Sequence, residues 1–113
     1  MSQVSTIART GMQAAEARAE RSARNVANVN TDGYLASRVT TQEARDGGVT
    51  YRSVPNDTPK LTYNRDGRQA AMSNTDLAQE TVERIGAASA FKANLAVLKT
   101  DDDMKRTLLS LKA

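Results

Sequence analysis

The stretch "ARNVANVNTDGY", residues 23–34, closes an amphipathic helical pattern with three asparagines and an aspartate. Asparagine is a poor helix former, because its side chain competes for backbone hydrogen bonds. Asn30, Asp32 and Gly33, followed by Tyr34, read as a helix stop and turn, since these residue types tolerate the backbone of tight turns. Asn25 and Asn28 lie further inside the pattern. At about 100° per residue they sit roughly 60° apart, beside the edge formed by Val26 and Val29. A carboxamide both donates and accepts hydrogen bonds. This pair is therefore expected to face a neighbouring subunit.

Upstream, the series Val4, Ala8, Gly11, Ala15, Ala19, Ser22, Val26, Val29 advances by threes and fours, as one helix face does. It predicts a first helix from Ser2 to Asn30, about 40 Å long. Its seam is small, so a partner helix can approach closely. Downstream, "SNTDLAQE" offers Ser73, Asn74, Thr75 and Asp76 as cap candidates, and Asp76 and Glu80 put acid into the first turns. The apolar series Leu77, Val82, Ile85, Ala88, Phe91, Leu95, Leu98, Met104, Leu108, Leu111 predicts a second helix within residues 73–111, with the stronger seam.

Between the helices, residues 31–72 change character. Two segments, 34–42 and 49–54, flank "EARDGG", and a second pair, 61–63 and 69–72, flanks "NRDGR". Asp-Gly between such segments is a hairpin signal, because the turn needs positive φ. The expected fold is mainly α with a small β segment. Long terminal helices pair as a coiled coil around a short β-hairpin insertion, all within a single domain, 1–113.

Composition narrows the function classes. The 113 residues carry no cysteine and no histidine, which removes disulfides, thiol chemistry and the commonest general base and metal ligand. With one Phe, three Tyr and much alanine, the core is small, and stability is expected to come partly from association. The net charge of +3 is spread rather than clustered, so the footprint of a nucleic-acid binder is weak. Arg18, Arg21 and Arg24 are interleaved with Glu16 and Glu20. No apolar run approaches the ~20 residues of a membrane span, and the first residues show no signal-peptide core. The run Asp101, Asp102, Asp103 points in three directions on a helix. Its pairs Asp101–Lys105 and Asp102–Arg106 read as a solvated ionic face. No phosphate loop or nucleophile motif is present, so no catalytic residue, cofactor or metal is expected.

Residues 23–34 resemble the signature of bacterial flagellar rod and hook proteins, A-N-N-[IL]-A-N-x-N-T-P-G-Y. The correspondence runs through Ala23, Asn25, Val26, Ala27, Asn28, Asn30, Thr31, Gly33 and Tyr34. Arg24 stands where the signature has its first asparagine, Asp32 replaces its proline, and Leu35 takes a place where a basic residue is common. The far end is similar to the C-terminal helix of the same family through Ser73, Asn74, Asp76, Leu77, Glu80, Val82, Ile85, Ala87, Phe91, Ala93, Asn94, Val97, Leu98, Thr100, Asp102, Met104, Leu108, Leu109, Leu111 and Lys112.

That resemblance implies a structural subunit of the basal-body rod, closest to a short proximal rod protein, polymerising through its terminal helices into the axial drive shaft. The implied partners are copies of itself, neighbouring rod or hook proteins, and the flagellar type III exporter, which carries subunits without a cleaved signal peptide to the periplasm-spanning rod. No nucleic acid and no membrane insertion are implied. The residues expected at subunit contacts are Val4, Gly11, Asn25, Val26, Asn28, Val29, Ile85, Phe91, Leu95, Leu98, Met104, Leu108 and Leu111. The alternative reading is a coiled-coil adaptor or export chaperone that binds other flagellar proteins.

Overall fold

The protein is described by a computed structural model covering residues 3–112. Two helices, α1 (Gln3–Ala27) and α2 (Leu77–Lys112), bracket four strands: β1 (Ser37–Glu43), β2 (Val49–Pro55), β3 (Thr62–Arg65) and β4 (Arg68–Ala71). The strands form two separate antiparallel hairpins, β1–β2 and β3–β4. The molecule is a rod in outline, 78 × 24 × 15 Å.

The helices lie antiparallel and in contact. Ser5 of α1 donates to Asp101 of α2 at 2.5 Å, Arg18 meets Glu83 at 2.7 Å, and Ser22 donates to the Glu80 carbonyl at 3.2 Å. Moving towards the C-terminus of α1 thus moves towards the N-terminus of α2. In that register residues 103–112 extend past Gln3.

The buried face of α1 runs through Ser5, Ala8, Ala14, Ala15, Ser22 and Asn25. It coincides with the apolar series at Ala8, Ala15 and Ser22 and departs from it elsewhere. Ser5 is buried where Val4 was expected, and Asn25 where Val26 was. Ala19 is exposed, and the neighbouring Arg18 reaches across to α2 instead. On α2 the buried residues are Glu80, Ala87 and Asp101. Val82, Ile85, Met104, Leu108 and Leu111, expected in one seam, are exposed, while Phe91, Leu95 and Leu98 are half-buried. The reason is chemical. The helices join through hydrogen bonds and small side chains, so the contact stripe does not follow hydrophobicity. Among the described residues the buried apolar side chains are all alanines: Ala8, Ala14, Ala15, Ala36 and Ala87.

Element ends shift for local reasons. Helix α1 stops at Ala27 rather than Asn30, and its predicted start at Ser2 lies outside the described residues. Below Ala27, the Asn28 side chain donates to the Arg24 carbonyl at 2.9 Å and Thr31 donates to Asn28 Oδ1 at 3.0 Å. Helix α2 begins at Leu77 with Asp76 as its N-cap, accepting from the Ala78 and Gln79 amides. Strand β1 starts at Ser37, not residue 34, because the Ala36 amide is taken by the Asn74 side chain.

The β3–β4 turn places Asp66 (φ 52°) and Gly67 (φ 80°) between the paired Arg65 and Arg68. Two consecutive positive φ values define the type I′ turn that matches strand twist, which is why Asp-Gly belongs there. The longer β1–β2 hairpin packs on α1. Its seven-residue strands span about 24 Å, and α1 covers a similar length, about 22 Å, between residues 10 and 25. The hairpin is therefore tied at both ends. Ser37 bonds Asn25, and Val49 donates to Thr10 Oγ1 at 3.1 Å.

Two helix glycines separate close packing from mere proximity. A Cβ on Gly11 would lie 2.6 Å from both the Nδ2 and Oδ1 atoms of Asn94, a short side chain with little room to retreat. A Cβ on Gly86 would meet the far end of Arg18 at 2.9 Å, and a guanidinium can swing aside. Alanine also favours a helix by about 1 kcal/mol over glycine. Gly11→Leu is therefore expected to destabilise by about 1–3 kcal/mol through overpacking, whereas Gly86→Ala leaves the melting temperature unchanged or raised. Thermal unfolding followed by circular dichroism tests the pair.

Candidate functional site

Asn25 is the most deeply buried large polar group, about 1 % exposed. It sits in the last turn of α1, where the chain must leave the helix, start β1 and later begin α2. Its Nδ2 donates to the Ser37 carbonyl at 2.8 Å and to Glu80 Oε1 at 2.9 Å. Its Oδ1 accepts from the Tyr34 hydroxyl at 2.8 Å and from the Ser37 amide at 3.2 Å. Its backbone carbonyl accepts from Thr75 Oγ1 at 3.1 Å. One carboxamide thus uses all its donor and acceptor capacity, joining α1, the 28–36 turn, β1 and α2.

Asn25, expected at a subunit contact, makes these hydrogen bonds within the chain. Gly11, also expected at a subunit contact, lies close to Asn94 of α2. Asn28 is different: its bonds are local and exposed.

A second carboxamide, Asn74, works in parallel just before α2. Its Oδ1 accepts from the Ala36 amide at 2.6 Å, and its Nδ2 donates to the carbonyls of Thr58 at 3.0 Å and Asn56 at 3.3 Å. It pins the connector between the hairpins. Sequence reading treated Asn74 as a cap candidate and Glu80 as a helix-start acid. Neither role predicts burial, and the available signal was only that both fall within the C-terminal motif.

The second hairpin is held from outside. Asp32 Oδ2 accepts from the Tyr63 hydroxyl and from Arg65 Nη1, both at 2.6 Å. Lys60 donates to the Gly33 carbonyl at 2.7 Å, and the Gly33 amide donates to the Ala71 carbonyl at 2.7 Å. Gly33 has φ 76°, so the turn presents its amide to β4 at a residue without a side chain. The Tyr63 and Arg65 hydrogen bonds hold the Asp32 carboxyl below the ordinary carboxylate range, and Asp32 in turn pushes the Tyr63 hydroxyl up.

The acidic run on α2 is only partly solvated. Asp102 pairs with Arg106 at 3.2 Å on the surface, but Asp101 is buried and joins Ser5 and Lys105. No group of three or more metal-ligating side chains occurs among the described residues. None of their helices is long and apolar enough to cross a membrane.

Beyond the joint, the outer surface of α2 carries most of the large apolar side chains. Val82 (70 % exposed), Ile85 (65 %), Leu108 (65 %), Leu109 (69 %) and Leu111 (79 %) stand outside the intramolecular contact. Polar packing within and apolar exposure without characterise this two-helix architecture. Residues 69–111 match the family described as flagellar basal body rod FlgEFG protein C-terminal, so the C-terminal part of the chain is similar to that family. No curated protein matches the chain.

Two measurements follow from the joint and the clasp. Asn25→Ala leaves Glu80 Oε1, the Tyr34 hydroxyl and both Ser37 backbone groups without a partner, a loss of roughly 2–4 kcal/mol in denaturant unfolding. Asn28→Ala, whose bonds are local and solvent-accessible, is expected to stay within about 0.5 kcal/mol.

For Asp32 the folded pKa is depressed. Its contribution to hairpin docking is therefore complete above the ordinary value of about 3.9 and is lost as pH falls through the lower folded value. Tyr63 ring resonances followed by NMR should show undocking in that acidic window. In Asp32→Asn the transition should vanish.

Proposed function

We propose that this chain is a structural subunit of the flagellar basal-body rod, polymerising through its terminal helices into the axial shaft that drives motility. One observation carries the reading: the helix that matches the rod family leaves large apolar side chains uncovered, Val82 and Ile85 alongside α1 and Met104, Leu108 and Leu111 where it runs past the start of α1. Exposed apolar surface on this scale marks a contact with another molecule. The residues assigned to subunit contacts are Val4, Val26, Asn28 and Val29 on the α1 side, and Ile85, Phe91, Leu95, Leu98, Met104, Leu108 and Leu111 on α2.

An elongated subunit whose helices are already joined by hydrogen bonds suits this role. It can offer its apolar stripe to neighbours without first breaking its own core. In this reading its partners are further copies and adjoining rod or hook subunits. The flagellar type III machinery exports it to the periplasm-spanning rod, and it adopts its 1–113 arrangement as a single rod-type domain.

Leu108→Asp and Leu111→Asp test this directly. Each is expected to keep the helical content of the isolated chain, since neither side chain packs on α1, while abolishing incorporation into basal bodies and swimming. Complementation of a deletion strain, with circular dichroism of the purified variants, gives both readouts. Normal motility from either variant would falsify the proposed contact face.

A further inference from the structure

Glu80 is the buried partner of Asn25, about 7 % exposed, and only one of its carboxylate oxygens is accounted for. Oε1 accepts from Asn25 Nδ2, whereas Oε2 is buried and meets no hydrogen-bond donor among the described residues. A carboxylate oxygen removed from water without a donor costs more than a neutral group would, and native structures rarely leave one so. Glu80 lines a small cavity of about 20 Å³, together with Arg18, Arg21, Ser37, Arg38, Asn56 and Gln79 among others.

The cavity selects its occupant by size and charge. Roughly 10–15 Å³ of this kind of volume holds one water molecule, so larger organic groups do not fit. Three guanidinium-bearing side chains line it, which disfavours a metal cation, and Arg18 is already paired with Glu83. Glu80 and Glu83 line it too, which disfavours an anion. What remains is a small neutral donor. Internal waters typically make about three hydrogen bonds to otherwise unsatisfied groups, and this lining is polar enough to supply them.

We infer that a single structural water occupies this cavity and donates to Glu80 Oε2, completing the joint that Asn25 begins. The water links the first turns of α2 to the cavity wall formed by α1, the first hairpin and the connector after it. The joint is therefore hydrated by design of its lining and not dry like an alanine core.

The test is a crystal structure of the full chain at a resolution where ordered waters are located. The expected result is one fully occupied oxygen within about 3.2 Å of Glu80 Oε2. An Arg21 or Arg38 guanidinium seated on Oε2, or no ordered oxygen there, overturns the inference. Solution measurements separate the same alternatives. If water is the donor, Arg21→Ala and Arg38→Ala each change the unfolding equilibrium constant by less than about threefold, the range of ordinary surface substitutions. A larger loss in either variant identifies that arginine as the donor instead.

Discussion

The fold depends on one carboxamide satisfied on all sides. Asn25 lies where four segments of the chain must meet, and its hydrogen bonds to Ser37, Tyr34 and Glu80 fix their relative positions. A hydrophobic side chain at that point would fill space without direction. A carboxamide specifies which atom faces which, and in a low-dielectric setting each misplaced partner is costly. Asn74 repeats the device one layer outward for the connector. The arrangement is ordered mainly by hydrogen-bond geometry.

That choice has a direct effect on where the apolar residues go. Because polar and small side chains hold α1 against α2, the leucines, valines and isoleucine of α2 are not needed inside. They are distributed over its outer surface, and residues 103–112 carry Met104, Leu108, Leu109 and Leu111 past the start of α1. Folding of the chain and any association through that exposed face therefore draw on different forces. Neither competes with the other for the same side chains, which suits a protein that must be complete in itself and still adhesive.

Much of this was legible in the sequence. The two helices, the paired Asp-Gly hairpins, the Asp76 cap region and the family of the C-terminal helix all follow from periodicity, turn chemistry and motif. The contact face was not. A search for apolar periodicity selects Val4, Ala19 and Val26, while the structure selects Ser5, Arg18 and Asn25, each one position away. A departure of one residue, in one direction at Ser5 and in the other at Arg18 and Asn25, is invisible to a hydrophobic pattern when the contact is polar. It separates the two asparagines that looked equivalent: Asn25 turns inward, and Asn28 stays at the helix end. The buried Asp101 escaped for the same reason, since its carboxylate looked like surface and found Ser5.

That the fully buried apolar side chains among the described residues are alanines also bears on how the protein responds to temperature. Unfolding such a subunit exposes little apolar surface, so its heat-capacity change is small for its length and its stability varies only gently on cooling. Contacts through the outer face of α2 behave oppositely, because apolar association weakens in the cold. Chilling therefore acts on the joints between molecules before it acts on the molecules themselves, and an assembly held through that face loosens into intact units.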